Sequence, residues 1–180
     1  MYKRQDPEWI ALDLLSQAEH DESAQSILIT TSQKLADLVE KEIEKILLSL
    51  GRRDIAGPSW NNFGTIITVP AVEVAADLSN KIAPEHLELC VAKPKELLKK
   101  ISNAGAVFMG YWTPEAVGDY IGGSNHVLPT ARSARFSSGL SVMDFIKRTT
   151  TTFVSQEALR AIGPSIAVSY THLRAHETSQ

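Results

Sequence analysis

The chain has 180 residues, of which 43% are hydrophobic and 22% are charged, and its net charge is -3. This composition is that of a globular domain long enough to bury a core, and the charge gives no basis for binding nucleic acid. One cysteine, Cys90, excludes an internal disulfide and a cysteine-rich zinc site, and its apolar neighbours predict a small buried side chain. With no secretory signal and no bilayer-length apolar stretch, we expect a cytoplasmic protein without a membrane partner.

Helices and strands alternate along the chain, beginning with a helix that Asp6 caps and Pro7 opens. This helix is expected to run to about His20, which places Gln17 and His20 one turn apart on the same face. Short apolar, β-branched runs predict strands, and 3.6-residue periodicity predicts helices. The strands are expected at 26–30, 65–69, 87–91 and 106–109, with helices at 32–50, at 70–80 and from residue 94. Residues 57–59 (G-P-S) are expected to break the chain.

This alternation predicts βαβ units, so the expected fold class is α/β with an open, mostly parallel sheet and flanking helices. A short helix should follow Thr113-Pro114 and lead into a polar, glycine-rich stretch at 118–144. A loop of this length is expected to be functional, the alternative being a surface connector. It contains Asp119, Asn125, His126, Arg132 and Arg135. Beyond it, 142–154 is expected to hold one more strand, and 156–162 a helix that ends at Gly163-Pro164.

Three histidines in the body of the chain have polar neighbours that can share a site with them. The groups are Gln17 with His20, Glu85 with His86, and His126 between Asp119 and Asn125. Imidazole, carboxylate and amide groups supply ligands compatible with Zn²⁺ or a similar divalent ion. Each pattern alone is more often a solvated face or a satisfied histidine.

The Glu85-His86 pair has a further geometric condition. Adjacent residues of a strand point to opposite faces, so both side chains can serve one site only at a strand end or turn. Pro84 directly before the pair is consistent with such a boundary. The pair is therefore a candidate acid–base couple if a strand begins there.

Five segments carry a resemblance to the histidinol dehydrogenase family. They are L-L-S-Q-A-E-H at 14–20, A-P-E-H-L-E-L at 83–89, G-D-Y at 118–120, N-H-V-L-P-T at 125–130 and A-R-F-S-S-G-L-S-V-M-D-F at 134–145. The resemblance implies a Zn²⁺- and NAD-dependent oxidation of L-histidinol to L-histidine through histidinal, in the last steps of histidine biosynthesis. It also implies one Zn²⁺ per site and a homodimer in the full-length enzyme.

The resemblance assigns roles to six residues of this chain. It implies that Gln17, His20 and Asp119 are metal ligands. It implies that Glu85 and His86 are catalytic: His86 removes the alcohol proton, and Glu85 activates the water that adds to the aldehyde. Substrate contacts are implied for Gln17, His20, His86, Asp119 and His126. Because the chain has no G-x-G-x-x-G, no residue is assigned to NAD.

Family members are more than twice as long, so the resemblance implies a fragment that lacks an N-terminal half. We expect a partial α/β catalytic domain at 6–146 and the start of a C-terminal segment at 147–168. Residues 1–5 and 169–180 look like translated adapter sequence and are expected to be non-native. The Rossmann-like sheet should then be incomplete and the isolated chain inactive. The alternatives are a non-catalytic α/β module that binds a metal or small ligand, and a structural domain with inert histidines.

Overall fold

The computed structural model describes residues 6–177, apart from the side chains of Asp119 and of residues 169–177. The chain divides into a first unit, Met1–Ser141, and a second unit, Val142–Gln180. Within the described residues, no helix combines the length and apolar character needed to cross a membrane.

Six α-helices and four strands make up most of the described part of the first unit, in the predicted alternation apart from one additional helix at Arg53–Phe63. In chain order they are α1 (Pro7–Ala18), β1 (Ile27–Thr30), α2 (Gln33–Leu47), α3 (Arg53–Phe63), β2 (Thr65–Thr68), α4 (Val72–Ile82), β3 (His86–Leu89), α5 (Pro94–Leu98), β4 (Ala106–Met109) and α6 (Glu115–Tyr120). The α/β class with parallel strands and flanking helices is confirmed.

The four strands form two separate parallel pairs, which corrects the expectation of one open sheet. β1 pairs with β2, with Ile27 opposite Thr65, and β3 pairs with β4, with His86 opposite Ala106. Short β-branched runs specify that a strand forms, but they do not specify its partner. The described residues therefore contain two βαβ units of two strands each.

The first βαβ unit is held together by the apolar face of α1. Asp6 caps this helix by accepting the Glu8 backbone N–H at 3.1 Å. The core combines α1 with α2 and α3 through Ala11, Leu15, Ala18, Val39, Ile43 and Ala56. One stripe of α1 is thus committed to the core, which leaves its other stripes free to contact the second pair of strands.

Residues 57–59 lie inside α3, so the expected chain break is wrong. Pro58 removes one backbone donor from the helix. Its neighbours compensate, because Ala56 is fully buried and the hydroxyl of Ser59 donates to the carbonyl of Ala24 at 2.9 Å. Tertiary packing here outweighs local helix-breaking propensity.

The stretch after α6 is a loop, as predicted, with one 3₁₀ turn at Ser133–Arg135. Its two arginines, Arg132 and Arg135, both donate to the carbonyl of Lys81 in the last turn of α4. Positive side chains at a helix C-terminus satisfy its unpaired carbonyls and match its dipole. Asn125 closes the loop by accepting the Val127 N–H at 2.8 Å and donating to Leu140 O at 2.7 Å.

The second unit contains a 3₁₀ helix at Val142–Phe145 and α7 at Gln156–Glu177. The strand expected at 142–154 does not form among the described residues, because the β-forming threonines at 149–152 are exposed and β propensity needs a packed, paired surface. The expected helix end at Gly163-Pro164 is also wrong, since α7 continues through Pro164. A single proline costs one hydrogen bond and can be accommodated by a bend.

Candidate active site

Strand β3 separates an apolar face from a polar one. Leu87, Leu89 and Val91 belong to the core cluster that also contains Ala76 of α4 and Leu97 of α5. His86 and Glu88 alternate with them, and Cys90 continues the pattern past the strand end. The polar face of β3 is therefore the surface on which candidate chemistry can be assembled.

The Glu85-His86 pair lies at the boundary that Pro84 predicted, because β3 begins at His86. The preceding Ala83 is left-handed, with φ of 54°, which a non-glycine residue adopts at a cost. Glu85 O accepts the Ala106 N–H at 2.8 Å. Gly105 lies so close that an added Cβ would be 2.6 Å from the same oxygen. The backbone beneath the pair is thus fixed from both sides.

The imidazole of His86 is held between a ring and a carboxylate. Its side chain is 16% exposed, and its ring centroid is 6.0 Å from that of Phe108. Nε2 is 3.7 Å from Glu115 Oε1, beyond hydrogen-bond distance, and it is buried without a hydrogen-bond partner among the described residues. Gly118 of α6 packs against the Phe108 ring, where an added Cβ would be 2.5 Å from Cε1. The ring is therefore held in place, while its Nε2 has no hydrogen-bond partner among the described residues.

Glu88, two residues after His86, lies in a cluster of carboxyl groups. Its Oε1 accepts the Glu115 backbone N–H at 3.1 Å, and its carboxyl group hydrogen-bonds to that of Asp13. Burial, followed by the charge of Asp13, raises the pKa of Glu88 to about 7. Burial also raises the pKa of Asp13, against the opposing effect of the hydrogen bond. Each of the two carboxyl groups therefore holds its proton more tightly than it would in the unfolded chain.

Cys90 borders this cluster and is chemically quiet. Its Sγ lies 3.7 Å from Glu88 Oε2 and 3.9 Å from Gly110 O. Burial, and then the charge of Glu88, raises the pKa of the thiol to about 12. Since the thiolate is the nucleophile, Cys90 is excluded as a nucleophile at neutral pH. It is half-buried beside a polar group, rather than the purely apolar packing residue that the sequence suggested.

A second stripe of α1 faces β3. Trp9 packs edge-on against Trp112, with ring centroids 5.4 Å apart, and Asp13, one turn later, reaches Glu88. Gln17 is one further turn along the same stripe of α1, and its position relative to His86 stays a prediction.

The remaining predicted residues lie on three different segments. His20 is exposed, two residues past the end of α1, and His126 is exposed in the loop after α6. Asp119 belongs to α6, four residues after Glu115, but its side chain lies outside the described part.

Gln17, His20 and Asp119 supply an amide, an imidazole and a carboxylate, which in kind suit Zn²⁺. Among the described side chains, no three His, Cys, Asp or Glu converge on a metal position. The amide of Gln17 and the undescribed side chain of Asp119 fall outside that set, so this ligand set stays a prediction.

Comparison with known proteins decides the family. Residues 2–180 match the family model described as histidinol dehydrogenase. The chain belongs to the histidinol dehydrogenase family. It is 65% identical over 162 residues to the histidinol dehydrogenase of Ruegeria pomeroyi, covering 90% of this chain and 37% of that protein. The corresponding enzyme of Cereibacter sphaeroides is 60% identical over 177 residues, covering 97% of this chain and 41% of the relative.

A solved structure supports the same conclusion. The crystal structure of histidinol dehydrogenase from Elizabethkingia anophelis aligns with a TM-score of 0.84 at 37% identity, over 98% of this chain and 41% of that one. The resemblance drawn from five segments is confirmed. The chain spans about two fifths of the length of the relatives it matches.

Asp13, Glu88 and Glu115 were not among the predicted site residues, although the sequence carries a signal for the first two. The alternation at 86–91 places Glu88 on the same strand face as His86. Asp13 is four residues before Gln17 and therefore shares its helix face. A search for polar residues on the same strand face as His86 and on the same helix face as Gln17 would have found Glu88 and Asp13. Glu115 required knowledge of where α6 packs.

Proposed function

We propose that this chain is the part of a histidinol dehydrogenase that carries its acid–base pair and three of its metal ligands. The whole enzyme would oxidise L-histidinol to L-histidine through histidinal, with two NAD⁺, in the last steps of histidine biosynthesis. Family membership supports the reaction. The observation that carries the assignment to these residues is the Nε2 of His86 at the start of β3, which is buried with no hydrogen-bond partner among the described residues.

His86 has the surroundings of a general base. Its Nε2 would take the hydroxyl proton of the alcohol, and the carboxylate of Glu115 at 3.7 Å would stabilise the imidazolium that results. Phe108 supports the ring, and Gly118 allows α6 to pack against Phe108. Glu85 would then take a proton from the water that adds to the aldehyde carbon.

Gln17, His20 and Asp119 would hold the zinc ion, with Gln17 on the α1 stripe that faces β3. The chemistry that Zn²⁺ supplies when bound is orientation of a nitrogen-bearing substrate, and the chemistry that NAD⁺ supplies is acceptance of one hydride by each of two molecules. His126 would contact the substrate from the loop. The residues of this chain would bind and orient the alcohol and manage its protons.

Several further properties belong to the same proposal. The full-length enzyme would be a cytoplasmic homodimer with a Rossmann-like domain, to which residues 6–146 contribute. Exposed apolar side chains in the second unit, with Phe153 at 93%, are consistent with such association. We expect the isolated chain to form no NADH from L-histidinol, because it spans only about two fifths of the matched enzymes.

A chimera tests the proposal directly. The 162 aligned residues of this chain would replace the matching segment of the Ruegeria pomeroyi enzyme, and NADH formation from L-histidinol would be followed. His86→Asn should lower kcat by about 10²- to 10⁴-fold, the usual contribution of a general base. Bound zinc should not change in this variant. Gln17→Ala and His20→Asn should instead lower the zinc content. A folded chimera with no turnover, or with full turnover in His86→Asn, would refute the assignment.

A further inference from the structure

Glu88 connects three elements, α1, α6 and β3, which carry Gln17, Asp119 and His86 respectively. Its carboxyl group reaches Asp13 on α1 and accepts the N–H of Glu115 at the start of α6. It belongs to β3 itself, where it is two residues from His86. Among the side chains described here, this one joins α1, α6 and β3 at a single functional group.

The proposed ligands stand one helical turn from each of these contacts. Gln17 is four residues after Asp13 in α1, and Asp119 is four residues after Glu115 in α6. A shift of either helix relative to β3 would therefore move a proposed zinc ligand by about the same amount, since one turn of a helix is rigid on this length scale. A site that must hold its ligands to within about 0.5 Å needs such a support.

We propose that Glu88 is a positioning residue, which fixes α1 and α6 against the His86-bearing face of β3. This inference rests on the proposed function for the roles of Gln17, Asp119 and His86. Glu88 itself would touch neither substrate nor metal.

The surroundings of Glu88 define which form of the side chain does this. Asp13 faces it from α1, Glu115 from α6, and Cys90 from just past the end of β3. His86 is the preceding side chain on the same face of β3, and the apolar Phe108 of β4 is the register partner of Glu88. Because Asp13 also carries a carboxyl group, only the neutral form of Glu88 can donate its O–H to Asp13. The same form can still accept the backbone N–H of Glu115. Glutamine reproduces that form, and alanine removes both contacts.

The first test is zinc affinity in the chimera, measured by chelator competition. Glu88→Ala should weaken zinc binding by about 10- to 100-fold, the loss that follows removal of a group supporting a metal ligand. Glu88→Gln should restore parental affinity at neutral pH. The matched control is Glu96→Gln, because Glu96 is exposed and pairs only with Lys93 among the described contacts. Unchanged affinity in a folded Glu88→Ala variant would overturn the proposal.

A pH series keeps the proposal testable if the alanine variant does not fold. The ratio of the zinc affinity of Glu88→Gln to that of the parent should rise as the pH passes 7. Above that pH the Glu88 carboxyl group of the parent ionises and loses its donor, whereas glutamine does not titrate. A flat ratio from pH 5 to 9 would contradict the proposal. In the 180-residue chain itself, Glu88→Gln should keep the coupled circular-dichroism signal of the Trp9–Trp112 pair, which reports α1 docking. Zinc affinity that is insensitive to Gln17→Ala and His20→Asn would instead refute the proposed function.

Discussion

Substituting Glu88 by glutamine should make the stability of the chain less dependent on pH. The pKa of Glu88 rises from 4.5 to about 7 on folding, chiefly because of burial. The native state therefore binds the proton more tightly than the unfolded state. The stabilisation is fully present below pH 4.5, decreases between pH 4.5 and 7, and is absent above 7. Glutamine, which does not titrate, removes this change.

The magnitude follows from the size of the shift. A rise of the pKa from 4.5 to about 7 corresponds to about 3.4 kcal/mol at full strength. Glu88 is only partly buried, so solvent screening reduces the expected value to about 2 kcal/mol. For a chain of this length that is about 5 °C in Tm.

Thermal melts of parent, Glu88→Gln and the control Glu96→Gln at pH 5, 6, 7 and 8 measure the effect. The Tm of Glu88→Gln minus that of the parent should rise by about 5 °C from pH 5 to 8, with most of the rise below pH 7. The control difference should stay constant. Parallel curves for Glu88→Gln and the parent would show that Glu88 ionises normally, and the carboxyl-pair argument would then be wrong.

Three further outcomes are expected. Gly118→Ala should destabilise the chain by about 1–3 kcal/mol, because the new methyl group meets the Phe108 ring, whereas Gly51→Ala has nothing within 4 Å and should be neutral in thermal melts. The Cys90 thiol, with its pKa near 12, should react with a disulfide reagent at pH 8 far more slowly than an unfolded control, and equal rates would contradict its burial. Asn125→Ala should lower the free energy of unfolding by about 1 kcal/mol and speed hydrogen exchange at the Val127 and Leu140 amides. Unchanged exchange would show that this side chain does not close the loop.

Local patterns predicted individual elements better than their arrangement. The α1 start and the four strands follow from a capping aspartate, a proline and β-branched runs, because those signals act within a few residues. The pairing of β1 with β2 and of β3 with β4 depends on contacts far apart in sequence, and no local pattern encodes it. Pro58 and Pro164 failed as helix breaks for the same reason, since neighbouring structure decides whether a lost hydrogen bond is tolerated.

The candidate site shows the same division between composition and contact. The glycine-rich loop was expected to be functional and contains two arginines, yet both donate to the Lys81 carbonyl at the end of α4. His86 was selected through family resemblance, and its physical role depends on neighbours that resemblance did not name. Glu115 lies 3.7 Å from its Nε2, Phe108 packs beside its ring, and Glu88 on the same strand accepts the backbone N–H of Glu115. A sequence motif can thus predict candidate catalytic residues, whereas the groups that hold those residues in place are identified only from the packing of the structure.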